Sequence, residues 1–105
     1  MRAVTWAQHF GDLDDLPPMR LGDADALAAL LVATAGAMGI TPLGAPLIRS
    51  GSEAWVAALL CADAHIVLHA MPNERRCVVS IAARDASTVQ RGLDVIRRRL
   101  ATASQ

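Results

Sequence analysis

Few residues in this 105-residue chain carry side chains suited to chemistry, and most of those gather in one stretch. From Cys61 to Pro72 it reads Cys-Ala-Asp-Ala-His-Ile-Val-Leu-His-Ala-Met-Pro. Side chains of a strand alternate between faces, so His65, Val67 and His69 share one side and Ile66 and Leu68 the other. The strand rise is taken to set the two imidazoles roughly 7 Å apart. Imidazoles aligned in this way can move protons, accept and donate hydrogen bonds to a ligand, or serve a purely structural role. A shared metal needs a third ligand such as His9 or Cys77, and the His-x-x-x-His spacing serves a metal better on a helix than on a strand. No metal is assigned. Ser50 and Ser52 fall in a turn over residues 49–52 with no neighbouring base, which makes them turn residues rather than nucleophiles. The aspartates of residues 12–15 lack the glycine and closing glutamate of a calcium loop.

The elements that position this stretch follow from periodicity. Residues 4–10, with Trp6 and Phe10, read as a first strand, and residues 11–18 as a loop rich in proline and aspartate. Asp23 or Asp25 caps a helix over 24–38, whose stripe is Leu27, Leu30, Leu31, Thr34 and Met38; Gly39 is its left-handed terminator. Residues 40–48 are apolar but hold Pro42 and Pro46, which confines them to an edge or irregular strand. Residues 53–61 are apolar on both faces, as in a central strand covered on both sides. Residues 62–64 turn the chain, 65–69 return it, 71–75 turn it again, and 76–82 form the next strand. Asp85 caps a last helix with Val89, Leu93, Ile96 and Leu100 as its stripe. The order β-α-β-β-β-β-α predicts a single domain over 1–105. It is an α+β two-layer sandwich, an antiparallel sheet with two helices on one face. The uncovered sheet face is apolar and calls for a second subunit.

Composition narrows the function classes. All ten basic residues are arginine, eight of the ten acids are aspartate, and the net charge is zero. Nothing in that balance attracts nucleic acid or an anionic membrane, and the run Arg97-Arg98-Arg99 reads as a solvated helix end. Cys61 and Cys77 lack metal spacing and read as buried free thiols in a reducing compartment. No apolar run approaches the roughly 18–20 residues that span a bilayer, and the N-terminus lacks a signal pattern. A cytoplasmic location is expected.

From about Gly39 to Arg84 the chain resembles the small prokaryotic S-adenosylmethionine decarboxylases, pyruvoyl enzymes of polyamine synthesis. Their motif Glu-Ser-His-x-x-x-His-Thr-x-Pro-Glu stands here as Asp63-Ala64-His65-Ile66-Val67-Leu68-His69-Ala70-Met71-Pro72-Asn73. The resemblance implies self-cleavage before the serine, whose remnant becomes the pyruvoyl electron sink. At that position this chain has Ala64, which has no oxygen to attack with, so no pyruvoyl group is expected. By the same resemblance a second processing serine corresponds to Val56, the catalytic cysteine to Arg84, and an aromatic before the proline to Met71. Two further aromatics correspond to Leu47 and Ser50, and a histidine to Ile48. Asp63 keeps a carboxylate and His69 the histidine that assists processing. His65, His69, Arg84 and Met71 remain as candidate ligand-binding residues, since a fixed arginine can take a carboxylate or phosphate. The resemblance therefore implies a non-processed, inactive homologue that binds a small molecule or regulates a partner, as a homodimer or with a related decarboxylase. Inactive activating partners exist in the family. A non-pyruvoyl enzyme in the same cleft, or less readily an active decarboxylase, are the alternatives.

Overall fold

The structure is a computed structural model that describes residues 5–101. The chain runs β1 (Ala7–Leu13), a 3-10 turn (Met19–Gly22), α1 (Ala24–Met38), β2 (Leu47–Ser50), β3 (Trp55–Cys61), β4 (Ala64–Met71), a second 3-10 turn (Pro72–Glu74), β5 (Arg76–Ala83) and α2 (Ala86–Ala101). The five strands form one antiparallel sheet in the order β1-β5-β4-β3-β2.

Helix α1 begins and ends where its signals lie. The Asp23 carboxylate accepts from the N–H groups of Asp25 and Ala26 at 3.0 and 3.2 Å, two donors that an uncapped helix leaves bare. Gly39 closes it at φ 71°, and its N–H reaches the carbonyls of Ala35 and Gly36. Asp85 does the same service for α2, accepting from the Thr88 N–H at 2.8 Å and from both the Ser87 and Thr88 hydroxyls. Those three bonds hold the Asp85 carboxyl at about 2, below its ordinary 3.8, the Thr88 N–H contributing most. The α1 stripe Leu27, Leu30, Leu31, Thr34 and Met38 and the α2 stripe Val89, Leu93, Ile96 and Leu100 are all buried against one face of the sheet. There they meet Ala57, Leu59, Ile66, Leu68, Val79 and Ile81. Each large side chain so removed from water contributes about 1.5–3 kcal/mol. Gly92 permits the close crossing of the helices: a Cβ there would lie 2.6 Å from the Met38 sulfur.

Several local expectations shift. The first strand continues through Gly11, Asp12 and Leu13, which pair with Val79, Val78 and Cys77, so the expected loop begins only after Leu13. Val4 lies outside the described residues. The edge strand takes up only the last two residues of the expected 40–48 segment: it is Leu47–Ser50, past both prolines, and it takes Arg49 and Ser50 out of the expected turn by pairing them with Val56 and Trp55. Pro42 contributes an isolated bridge to Cys61. Ala64 belongs to β4, opposite Cys61, so the hairpin turn is only Ala62-Asp63. Strand β3 lies second from the edge and is covered on one face alone: Ala57, Leu59 and Cys61 are buried, while Val56 and Leu60 are exposed. The open face also presents Phe10 and Leu47, so an uncovered sheet surface with apolar side chains is present, interspersed with Gln8, Asp12, His65 and His69.

Candidate functional site

Strand β4 sets the geometry. Its helix-facing residues Ala64, Ile66, Leu68 and Ala70 are buried, and its open-face residues His65 and His69 are exposed, with Val67 and Met71 half-buried. Four residues of strand rise separate the histidines by roughly 13 Å, about twice the expected spacing, because Val67 occupies the same face between them. His65 lies opposite Leu60 and Ala82; His69 lies opposite Val56 and Val78. Val56 and His69, the two positions that the resemblance aligns with processing residues, are thus direct cross-strand neighbours.

Asp63, Ala64 and Arg84 come together at the other end of the strand. Ala64 pairs with Ala83, which brings Arg84 beside the hairpin turn. The Arg84 Nη1 lies 3.7 Å from the Asp63 Oδ1. Its guanidinium carbon stands 5.7 Å from the centroid of the Trp6 ring, and its Nε donates to the Thr5 carbonyl at 3.4 Å. A carboxylate, an aromatic face and a main-chain carbonyl therefore fix one cation at the surface. With side chains 51% and 64% exposed, this ion pair contributes less than about 1 kcal/mol. Chemically the arrangement can present the remaining guanidinium N–H groups to an oxyanion.

The structure does not gather all the candidate residues in one place within a protomer. Asp63, Ala64 and Arg84 form the hairpin-end cluster; Val56 and His69 lie roughly 17 Å away along the strand, on the opposite face from the Ala64 methyl. His65 stands one residue beyond Ala64 on the open face, and Met71 is at the far end opposite Arg76. Of the third metal ligands considered, His9 and Cys77 sit at helix-facing register positions, opposite Ile81 and Leu13, and cannot join the open-face histidines. Cys61 and Cys77 are both buried and free. They occupy opposite ends of the helix-facing layer, beside Ala64 and Ala70, which separates them by roughly 20 Å of strand. Burial pushes the Cys77 thiol up to about 12 and raises Cys61 as well, so neither is poised as a nucleophile.

The contact of Trp6 with Arg84 is a product of strand order. Nothing local in either segment announces it; the aromatic preceding β1 is the only hint. Among the described residues no helix is long and apolar enough to cross a membrane.

A five-stranded antiparallel sheet with two helices on one face, carrying an Asp-Ala-His hairpin at the β3–β4 junction, is an α+β sandwich of the decarboxylase type. Residues 7–105 match the S-adenosylmethionine decarboxylase family, and the chain belongs to that family. Its fold is that of the crystal structure of the adenosylmethionine decarboxylase from Aquifex aeolicus VF5, with a TM-score of 0.84. That likeness covers 98% of this chain and 86% of the other at 17% identity. Comparison with curated proteins returned no match.

Proposed function

We propose that this chain is a non-processed, catalytically inactive S-adenosylmethionine decarboxylase homologue that acts as a binding or regulatory subunit linked to polyamine metabolism. One observation carries the reading. The residue at the cleavage position, Ala64, supplies a methyl group 4% exposed against the core, and neither turn residue, Ala62 or Asp63, has a hydroxyl. A pyruvoyl group is made from the cleaved residue itself, so the residues present do not fit one. Support comes also from Arg84, whose cation stands against Asp63 where the resemblance puts the catalytic cysteine.

The partner is a second copy of the chain or a related decarboxylase, covering the open sheet face through Phe10, Leu47, Val56 and Leu60. Burial of that face would place His69 and Val56 at the subunit boundary. Intact-mass measurement after expression tests the central reading: one uncleaved chain of 11.1 kDa is expected, and two fragments with a pyruvoyl mass on the second would overturn it. Co-expression with a processed decarboxylase of the same family, followed by co-purification and assay of that partner's turnover, tests the regulatory role.

A second reading has its own observation. Arg84 held over Trp6 is a preformed anion contact, which favours a ligand or a non-pyruvoyl reaction at the hairpin end. Binding of a carboxylate ligand lost in Arg84→Met, with no partner effect, would favour this alternative.

A further inference from the structure

The run Arg97-Arg98-Arg99 is not absorbed by the decarboxylase-type site, which lies at the sheet. The helices α1 and α2 are antiparallel: the Arg91 Nε donates to the Ala37 carbonyl at one end, while Ala26 and Leu27 face Arg99 and Leu100 at the other. Between them runs a groove with two lobes. One, of about 200 Å³, is lined by Ala26, Ala29, Leu30, Leu100 and the arginines Arg20 and Arg99. The other, of about 330 Å³, has Arg20, Arg98 and Arg99 over Ala33, Ala37 and Val95.

Arg20 distinguishes this groove from a solvated helix end. It arrives from the 3-10 turn, half-buried, and its Nη1 donates to the Arg99 carbonyl at 2.6 Å. The bond ties the 3-10 turn to the last described turn of α2. The bond fixes a guanidinium between both lobes, next to Arg99. Among the described residues the Arg99 guanidinium has no hydrogen-bond or ion-pair partner. Among the described residues no acid lines either lobe. The nearby carboxylates have other work: Asp23 accepts from the α1 N-terminal N–H groups and Asp94 from the Gln90 amide, while Asp25 is exposed on the first turn. Cations on the rim and alanine, leucine and valine on the floor are complementary to one kind of occupant.

We propose that the α1–α2 groove binds a small organic anion, its phosphate or carboxylate head between Arg20 and Arg99 and its apolar body on Ala26, Ala29 and Leu30. The lobe volumes suit a small molecule rather than a protein segment. The site lies on the opposite side of the helix layer from the sheet's open face, so it leaves that face available to a partner. It does not depend on the decarboxylase-type reading.

The test is titration of the isotope-labelled full chain with hexyl phosphate, hexanoate, inorganic phosphate and hexylammonium, followed by amide shifts and calorimetry. Hexyl phosphate or hexanoate is expected to shift Ala26, Ala29 and Arg99 and to bind less tightly as salt rises; the stronger of the two identifies the head group. Arg99→Gln is expected to weaken binding about tenfold with an unchanged thermal midpoint. Ala29→Phe is expected to block it by filling the floor. No response to either organic anion would overturn the proposal, as would an equal response to hexylammonium or to inorganic phosphate, or shifts confined to the sheet face. Groove shifts that grow with protein concentration alone would put a second copy of the chain there and also overturn it.

Discussion

Along β4, Ala64, Ile66, Leu68 and Ala70 are 4% exposed or less, while the alternating His65 and His69 stand open to solvent. One face of the strand holds the fold together and the other carries most of its ionisable chemistry. Residue 64, which the resemblance aligns with the family's serine, defies that division. Residue 64 belongs by parity to the packed face, so a serine there has to place a hydroxyl among Ala83, Cys61 and the helices. A buried hydroxyl without a partner is unfavourable, and alanine avoids that cost. Chemistry at this position therefore competes with packing, whereas on the open face it does not.

Truncation on each face gives the sharpest contrast. Leu68→Ala is expected to lose about 2–5 kcal/mol by opening a core cavity. His69→Ala is expected to stay within about 0.5 kcal/mol, as exposed substitutions do. Urea denaturation compares them, and a large loss at His69 would mean that the open face is covered in solution. Next in size is Ala64→Ser, expected to destabilise by about 1–3 kcal/mol while the chain stays whole by intact mass. Cleavage of that variant would break the contrast, showing that the hairpin kept its processing geometry and lacked only an oxygen.

Acid sharpens the comparison from the side of the covering layer. The Asp85 carboxyl sits at about 2 when folded against an ordinary 3.8. The unfolded chain therefore takes up this proton first. The stabilisation is complete above about pH 4 and is lost as the pH falls through about 2. Asp85→Asn is expected to flatten that part of the stability-versus-pH curve, which denaturation at a series of pH values would show. The smallest effect belongs to the exposed cluster: Arg84→Met or Asp63→Asn should each cost less than about 1 kcal/mol in denaturation. Arg84→Met should also change tryptophan emission as the cation leaves the Trp6 ring.

Both helices were legible because their boundaries are local chemistry: Asp23, Gly39 and Asp85 act within a few residues of themselves. The meander β3–β4–β5 was legible from one continuous apolar run and two further β-prone segments between short turns, although the run at β3 hid which face stays open. The boundaries that moved depend on a distant partner. Gly11 to Leu13 look like loop until β5 supplies Cys77 to Val79, and Arg49 and Ser50 look like turn until β3 supplies Val56 and Trp55. The candidate site divides in the same way. Parity put the histidines on one face, but their spacing along the strand leaves them apart, and the Asp63–Arg84–Trp6 cluster exists only because β5 ends beside the β3–β4 turn.

The strand order β1-β5-β4-β3-β2 also bears on the sequence of folding. The β3–β4–β5 meander closes through short turns and can form early, whereas β1 must find β5 across well over half of the chain. Closing so long a loop is entropically slow. The Asp63–Arg84 pair can thus assemble with the meander, but the aromatic platform from Trp6 arrives only when β1 docks on β5. Loss of that cluster should therefore be a sign that the β1 edge has detached.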